Sequence, residues 1–364
     1  MKHASDSSAS KSGKPSSADQ AAKQAPMGTD ITTPPVSRRL LLAGAACGVG
    51  LATLGIVKET LRERAPVFIA KNQRYDQGLE TTIKEGLLAV GIAADSLRGK
   101  KVLIKPNLVE PTRDAPHVTT HPAMIVATAE VFRSFGATVG VGEGPGHVRD
   151  TEMVLTESGV GEYLAAAKLP FYDLNYEDVG WAKNRGRTCS LAGFYFPKPI
   201  LEADIVVSLP KMKTHHWVGV TGAMKNLYGV IPGIKYGWPK NVLHHNGIPQ
   251  TVYDINASLP KTIAIVDGID CMEGDGPIMG SRKQMGLILV GLSPAAVDAT
   301  MCRLMQLDPL EISYLQLAGG RLGPIRDRYI TQRGEGWQGL AQPFAVLDRP
   351  HLRMLQRPIG ALVS

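Results

Sequence analysis

Basic side chains concentrate in one stretch of this chain, LPKMKTHHWVGVTGAMKN, at residues 209–226. The stretch contains three lysines and two adjacent histidines directly after an apolar run. Ammonium and imidazole groups bind carboxylate or phosphate oxygens, and a neutral imidazole can also accept a proton or ligate a metal. The stretch therefore predicts a site for an anionic ligand, with a bound metal as an additional alternative.

Short apolar runs alternate with helical stretches from about Pro66 onward, which predicts an α/β fold with a mostly parallel sheet and flanking helices. The clearest strand patterns are VLIKPNLV, ATVGVGEG, DIVVSLP, TIAIVDGI and GLILVGL. HPAMIVATAEVFRSFG and SPAAVDATMCRLMQL have apolar residues at helical spacing. Two Rossmann-like lobes that share a central cleft are an alternative arrangement of the same elements.

Functional side chains are expected where parallel strands end, because ligands of open sheets bind at the carboxyl ends of the strands. Four such ends carry polar groups next to glycine or proline. In chain order these groups are Lys105 and Asn107; Glu143; Lys211, Lys213 and His215; and Glu273 and Asp275. We expect the lysines to bind the anion. His215 with Glu273 or Asp275 is expected to transfer a proton, and His215 with Glu273 is the predicted pair of ligands for a divalent metal.

Side-chain alternation separates the two adjacent histidines, because neighbouring residues of a strand point to opposite faces. His215 shares a face with Lys211 and Lys213, so we expect His215 to face the site and His216 to be packed or solvated. The following segment, GVTGAMKNLYGVIPG, predicts a loop that enters a helix. A helix amino terminus offers free N–H groups to an anion, so Thr221, Lys225 and Asn226 are predicted to contribute to the same site.

Composition and motifs exclude several classes of protein. The formal net charge is +7, but residues 1–65 contribute +4 of it, and residues 66–364 lack the basic clustering of a nucleic-acid surface. The four cysteines contain no C-x-x-C pair, so no iron–sulfur motif is encoded. EGDGPIMG does not match the dinucleotide fingerprint, and neither a G-x-S-x-G nor a phosphate-loop motif occurs.

The amino terminus has the features of an export signal. Residues 1–36 are rich in Ser, Ala, Lys, Gln and Pro, which predicts a disordered extension. Residues 37–57 join an Arg pair to about 18 uncharged residues rich in Gly and Ala, as twin-arginine signals do. We therefore predict export across the cytoplasmic membrane by the twin-arginine translocation machinery. An uncleaved segment that anchors the protein in the membrane is an alternative.

The motifs IKPNLV, VGEGPG, LPKMKTH, GVTGAMKNLYGV, DGIDCMEGDGPIMG and LSPAAVDATMCRLMQL resemble, in the same order, those of the DUF362 family (domain of unknown function 362). The resemblance covers residues 66–323 and leaves residues 324–364 as a C-terminal tail. It adds Asp298 to the matched positions but implies no residue roles. Because some family members carry iron–sulfur modules, it also implies a possible redox partner protein. A similarity of organisation to nickel-dependent lactate racemases suggests an isomerase.

Two classes of function remain open on these observations. One is an exported enzyme that acts on a small anionic metabolite, a carboxylate or a phosphate, with or without a divalent metal. The other is a protein that binds a ligand or a cofactor in the same basic pocket without catalysis, or that serves as the redox partner of an iron–sulfur protein. Neither class includes nucleic acid as a partner.

Overall fold

The computed structural model describes residues 64–362, so the segments predicted at residues 1–36 and 37–57 lie outside the described residues. The described chain belongs to one compact unit. It contains a ten-stranded sheet and a further two-stranded sheet. The predicted α/β class, with a mostly parallel sheet and flanking helices, is confirmed. The alternative of two Rossmann-like lobes is not found, because a single main sheet runs through the unit.

The main sheet is mixed, and parallel pairings outnumber antiparallel ones among the described strands. Its strands are β1 (Ala65–Ala70), β2 (Lys101–Pro106), β3 (Thr138–Glu143), β4 (Phe171–Asp173), β7 (Ile205–Leu209), β8 (Lys211–His215), β9 (Gly219–Thr221), β10 (Lys261–Glu273), β11 (Ser281–Gly291) and β12 (Ile330–Gly334). Their order is β12-β1-β11-β10-β7-β2-β3-β4, and β8 pairs with both β10 and β9. Strands β5 (Val179–Lys183) and β6 (Gly193–Pro197) form the antiparallel pair.

Helices connect the strands. They are α1 (Leu79–Ala89), α2 (Pro122–Ser134), α3 (Thr151–Glu157), α4 (Val160–Ala166), α5 (Lys198–Leu201), α6 (Ala223–Asn226), α7 (Gly233–Tyr236), α8 (Asn241–His245), α9 (Ile248–Ser258), α10 (Pro294–Leu304), α11 (Ser313–Ala318) and α12 (Pro350–Arg353). The two longest predicted helices correspond to α2 and α10. Each begins after a capping side chain, His121 and Ser293 respectively, with proline in its first turn.

Two hydrophobic clusters cover the two faces of the sheet. On β7, Val206 packs in one cluster, while Ile205 and Val207 pack in the other. On β2, Leu103 belongs to the first cluster and Ile104 to the second. This alternation is why the strands read as continuous apolar runs, since a parallel strand buried on both faces needs apolar side chains on each.

The segment that holds most of the predicted site residues is a second strand rather than a loop. β7 ends at Leu209, and after Pro210 the chain continues as β8, so both strands pair with successive parts of the long strand β10. β8 then turns back through an antiparallel hairpin with β9, and α6 follows one residue later. This arrangement carries the lysines past the end of β7 and encloses them.

The segment predicted as a C-terminal tail is part of the fold. β12 lies parallel to β1 at the edge of the main sheet. Trp337 and Phe344 are both fully buried in the first hydrophobic cluster. The boundary predicted at residue 323 therefore does not coincide with an end of the hydrophobic core.

Candidate anion-binding site

A cavity of about 420 Å³ lies at the carboxyl ends of β2 and β3, next to the β8–β9 hairpin and α6. Seven predicted site residues line it: Lys105, Asn107, Glu143, His215, Thr221, Lys225 and Asn226. The described lining has three lysines, Lys105, Lys225 and Lys240, and one carboxylate, Glu143. A larger cavity of about 830 Å³ adjoins Arg64, where the described residues begin, and contains none of the predicted site residues.

Glu143 is fully engaged by groups of the protein. Its Oε2 accepts hydrogen bonds from Lys105 Nζ at 2.8 Å and from the Leu108 N–H at 3.0 Å. Its Oε1 accepts from the Gly144 N–H at 2.9 Å. Asn226 completes the arrangement, because its Oδ1 accepts from Lys105 Nζ at 2.9 Å. The cavity carboxylate thus neutralises Lys105 and leaves the other two lysines without a carboxylate.

Gly229 lies directly against this ion pair. A Cβ atom at this position would stand 2.4 Å from both Lys105 Nζ and Glu143 Oε1. Real Cβ atoms do not approach other atoms so closely, so the closeness of the backbone to the ion pair requires glycine. The segment that follows α6 can therefore lie against the ion pair because Gly229 has no side chain.

Lys225 is the cavity lysine with the fewest partners. Its Nζ lies 4.4 Å from the centre of the Tyr228 ring, and no hydrogen bond or carboxylate contact engages it within residues 64–362. Burial, and then the charge of Lys105, lower the pKa of Lys225 to about 8. An ammonium group in this position is stabilised by an anion, since an opposite charge offsets both effects.

Lys240 and Lys213 are buried cations that contact only carbonyl oxygens. Lys240 Nζ donates to Gly144 O at 2.8 Å and to Gly229 O at 3.2 Å, and burial lowers its pKa to about 7 although Glu143 opposes this. Lys213 Nζ donates to Val118 O at 2.9 Å and to Pro277 O at 3.0 Å. Burial, followed by the charges of Lys211 and Lys225, holds the pKa of Lys213 well below its ordinary value. Lys213 does not line the cavity.

His215 is a neutral imidazole in this environment. Burial first, and then the charge of Lys225, hold its pKa well below the ordinary value. Its Nδ1 accepts a hydrogen bond from the Trp217 N–H at 3.1 Å, so the neutral ring carries its proton on Nε2. His215 therefore offers the cavity a hydrogen-bond donor. It is not set up as a base in this tautomer, because its lone pair is already used.

Two buried polar atoms in the wall lack a partner among the described residues, Asn107 Oδ1 and Thr221 Oγ1. Unpaired buried polar atoms are uncommon in folded proteins, and those in a cavity wall are candidates for ligand contacts. Thr221 can both donate and accept a hydrogen bond, whereas the Asn107 oxygen only accepts. The wall therefore offers contacts to a hydroxyl or amide group in addition to an anion.

Asp298 holds the amino terminus of α6, the helix that carries Lys225. Its carboxyl oxygens accept from the Ala223 N–H at 2.5 Å and from the Met224 N–H at 3.0 Å, the first two N–H groups of α6. A Cβ on Gly222 would stand 2.3 Å from the same carboxyl group, so the close approach needs glycine. Burial raises the pKa of Asp298 to about 7. Asp298 occupies the helix terminus predicted for the ligand, and its role is to hold α6.

Four predicted site residues lie outside the cavity wall: Lys211, Lys213, Glu273 and Asp275. Lys211 is fully buried, and its Nζ donates to Asp267 Oδ2 at 2.7 Å. Glu273 binds Lys283 Nζ at 3.1 Å and accepts from the Ala345 N–H. These contacts need neighbours on β10, β11 and the C-terminal segment, which a strand-end pattern does not reveal.

Asp275 and His216 form a pair at the mouth of the cavity. His216 Nδ1 lies 3.2 Å from Asp275 Oδ1, and His216 belongs to the cavity wall while Asp275 does not. The expectation that His216 points away from the site is wrong, because β8 ends at His215 and strand alternation does not extend to His216 in the turn that follows.

The predicted metal ligands do not form a cluster. Within residues 64–362 no group of three or more His, Cys, Asp or Glu side chains is arranged to hold a metal ion. His215 and Glu273 are engaged by different neighbours, the Trp217 N–H and Lys283 respectively. Cys189, Cys271 and Cys302 are free thiols.

Several wall residues were not part of the predicted site, above all Lys240, Trp217, Tyr228 and His244. Lys240 follows a Trp–Pro pair and precedes the second histidine doublet, and these two features are the sequence signals that could have drawn attention to it. Trp217 and Tyr228 lie within the quoted motifs. In the sequence they cannot be distinguished from ordinary core or surface aromatics. Only the folded hairpin and α6 bring them to one cavity.

The family profile described as "Domain of unknown function (DUF362)" matches residues 102–303, more than half of the chain. This range contains every residue of the cavity wall. The chain belongs to the DUF362 family. The expected resemblance is thereby confirmed, and it places the cavity within the shared part of the family.

A relative of this DUF362 protein is the thylakoid-associated protein sll1697 of Synechocystis sp.. The two are 27% identical over 263 residues, which cover 71% of this chain and 79% of the relative. Among the described residues of the DUF362 chain, no helix combines the length and apolarity needed to span a membrane.

A solved structure with partial similarity is the lactate racemase apoprotein from Thermoanaerobacterium thermosaccharolyticum. It matches with a TM-score of 0.39 and 17% sequence identity, over 67% of this chain and 58% of that one. The DUF362 chain thus spans less than two thirds of that enzyme. A similarity of this size carries no conclusion about activity.

Proposed function

We propose that this DUF362 protein binds a small anionic metabolite, a carboxylate or a phosphate, in the cavity at the carboxyl ends of β2 and β3. The observation that carries the proposal is the excess of enclosed lysine over carboxylate. Lys225 and Lys240 face the cavity without an acidic partner, and Glu143 already serves Lys105 and two backbone N–H groups. Enclosed charges are normally paired, so an anionic ligand supplies the missing partner.

We further propose that the protein is an enzyme in which Lys225 transfers a proton. A pKa of about 8 allows Lys225 to exist in both protonation states near neutral pH, which is what acid–base catalysis requires. The neutral His215 would donate from Nε2 to an oxygen of the bound anion. This assignment replaces the expected pair of His215 with Glu273 or Asp275, because neither carboxylate belongs to the cavity wall.

The test is a binding titration of small carboxylates and phosphate esters, followed by incubation of those that bind in deuterium oxide. Lys225→Met is expected to weaken binding about tenfold or more, because it removes a charge-assisted contact. Lys235→Met is the matched control, since Lys235 also lies over a tyrosine, 5.4 Å from the Tyr195 ring centre, but is outside the cavity wall.

Proton transfer is read by NMR as exchange of a carbon-bound proton for deuterium. Exchange by the native protein and its loss in Lys225→Met support an enzyme. If ligands bind but none of them exchanges a carbon-bound proton, the alternative of a ligand-binding protein without catalysis applies. A native protein that binds none of the anions would refute the proposal as a whole.

We also propose that the protein is exported by the twin-arginine machinery. The Arg38–Arg39 pair and the apolar segment after it support this, and so does a relative that is associated with thylakoids. Replacement of both arginines by lysine is expected to retain the full-length protein in the cytoplasmic fraction of the cells that produce it. Equal amounts of native and variant protein outside the cytoplasm would contradict export by this route.

A further inference from the structure

Five aromatic rings lie together in the cavity wall: His215, His216, Trp217, Tyr228 and His244. We call them the ring cluster. The Trp217 ring is 4.8 Å from His216 and 5.5 Å from His244, edge-on in both cases. The Tyr228 and His244 rings are stacked at 5.7 Å. The wall is therefore aromatic on one side of the basic groups.

Trp217 is exposed but held in place. It lies at the tip of the β8–β9 hairpin, and 56% of its surface remains accessible. Its own N–H donates to His215, and the neighbouring His216 N–H donates to Gly276 O at 2.9 Å. His351 of α12 contacts His216 O from the other side at 3.0 Å. A large ring that is fixed and yet uncovered offers a preformed contact surface.

The size of the cavity exceeds what a simple acid needs. A volume of about 420 Å³ lies within the range of about 300–1,000 Å³ that is typical of ligand pockets. Acetate has only four non-hydrogen atoms. Cavities of this size hold ligands with a substantial apolar body.

The cavity combines uncharged rings with basic groups. Burial, followed by the charge of Lys225, lowers the pKa of His244 to about 4, and His215 is neutral for similar reasons. The inner rings are thus uncharged near neutral pH. Lys225 Nζ adjoins the cluster through its contact with Tyr228. A ligand that contacts both the rings and Lys225 carries an anionic group and a flat ring of its own.

We propose that the ligand of this cavity is a planar aromatic anion, an aromatic carboxylate or a ring-bearing phosphate, whose ring packs on Trp217 while its anionic group binds Lys225. The inference rests on the proposed function and names the substrate class of the same site. Aromatic rings gain from offset or edge-on packing beyond the area that they bury.

The experiment compares paired probes at pH 6.5: acetate with benzoate, and methyl phosphate with phenyl phosphate, so that the members of each pair carry nearly the same charge. Trp217→Ala is compared with Trp181→Ala, because Trp181 is also 56% exposed and lies on β5, outside the cavity wall. We expect the ring to increase affinity about tenfold in at least one pair. Trp217→Ala is expected to remove most of that gain, about fivefold or more, so that benzoate and phenyl phosphate lose more affinity than acetate and methyl phosphate do. Trp217→Phe keeps a ring and is expected to retain the gain.

The outcomes separate this inference from the proposed function. Binding of acetate or methyl phosphate without any gain from the ring overturns the inference and leaves anion binding intact. An equal loss with Trp217→Ala and Trp181→Ala also overturns it, because a ring outside the cavity would then matter as much. Absence of binding by all four probes overturns both proposals. A gain limited to phenyl phosphate supports the inference and identifies the anionic group as phosphate.

Discussion

Lys211 begins β8, and Lys225 lies on α6, after the β8–β9 hairpin. The charge of Lys211 is paired within the described chain, whereas that of Lys225 is not. Lys211 Nζ contacts Asp267 and the Tyr75 hydroxyl, at 2.7 and 2.9 Å. Asp267 also accepts from Tyr75 and from the His121 N–H. Lys225, by contrast, faces a cavity that offers it one aromatic ring. The paired lysine stabilises the junction of β8 and β10, whereas the unpaired one is available to a ligand.

The comparison shows that residue type alone does not mark a binding site. Lys211, Lys213 and Lys225 belong to the same short stretch, and the first two share one face of β8. Their partners distinguish them. Asp267 neutralises Lys211, two carbonyl oxygens accept from Lys213, and Lys225 faces the cavity without a hydrogen bond to the described residues. A buried lysine with its own carboxylate belongs to the structure, whereas a lysine that faces a cavity without such partners indicates a missing ligand.

Asp267→Asn is expected to have the largest effect on stability. It leaves Lys211 buried without a counter-charge, and breaking a buried ion pair from one side typically lowers the free energy of unfolding by about 3–5 kcal/mol. Urea denaturation measures the change. Lys225→Met leaves no carboxylate unpaired and removes an ammonium group that burial disfavours, so it is not expected to lower the free energy of unfolding. Equal losses in the two variants would remove the distinction between these lysines.

Gly229→Ala tests Lys105, which lines the cavity as Lys225 does but is paired with a carboxylate as Lys211 is. The new methyl group would displace Lys105 or Glu143, since it would stand 2.4 Å from both side chains. We expect a loss of about 1–3 kcal/mol in the free energy of unfolding, as for other overpacked sites, together with weaker anion binding. Gly339→Ala serves as a control, because a Cβ there meets no atom within 4 Å. Unchanged anion affinity in Gly229→Ala would separate the ion pair from the ligand site.

The pH dependence of binding is the smallest expected effect and depends on Lys225 and Lys240, the two lysines of the described cavity wall without a carboxylate. Because the pKa of Lys240 is about 7 and that of Lys225 about 8, the affinity for acetate is expected to fall as the pH rises through this range, by up to tenfold per pH unit above pH 8. Lys225→Met should flatten this profile between pH 7.5 and 9.5. Acetate is the suitable probe, since it stays ionised throughout. A native profile that does not change in this window would contradict the assignment of Lys225.

In the same pH window, the contribution of Lys225 to stability changes in the opposite direction to its contribution to anion binding. The pKa of Lys225 in the folded protein, about 8, lies below the value of about 10.4 for an unperturbed lysine. Between these values the unfolded chain binds more protons, so the contribution of Lys225 to stability rises with pH. A bound anion raises the pKa and is expected to reduce this slope. The difference between native protein and Lys225→Met isolates the contribution of this one group.

Much of the fold was predictable from the sequence because parallel strands buried on both faces are uniformly apolar. The five strand patterns correspond to β2, β3, β7, β10 and β11, and the two helical patterns to α2 and α10. The hairpin of β8 and β9 was not predicted, since its lysines and histidines are polar in sequence and become buried only against β10. The part played by β12 was missed for a similar reason, because its short pattern, ITQRG, is mostly polar.

The sequence by itself determined the α/β class, the family and the collection of Lys, His and amide side chains at strand ends, because apolar periodicity and motif order are local properties. Tertiary structure decided which of those side chains share a cavity. Lys105, Glu143, His215 and Lys225 meet there, while Lys211 and Glu273 find partners elsewhere. The physical reason is that the state of a buried charge depends on the nearest opposite charge, and that neighbour comes from a distant part of the chain.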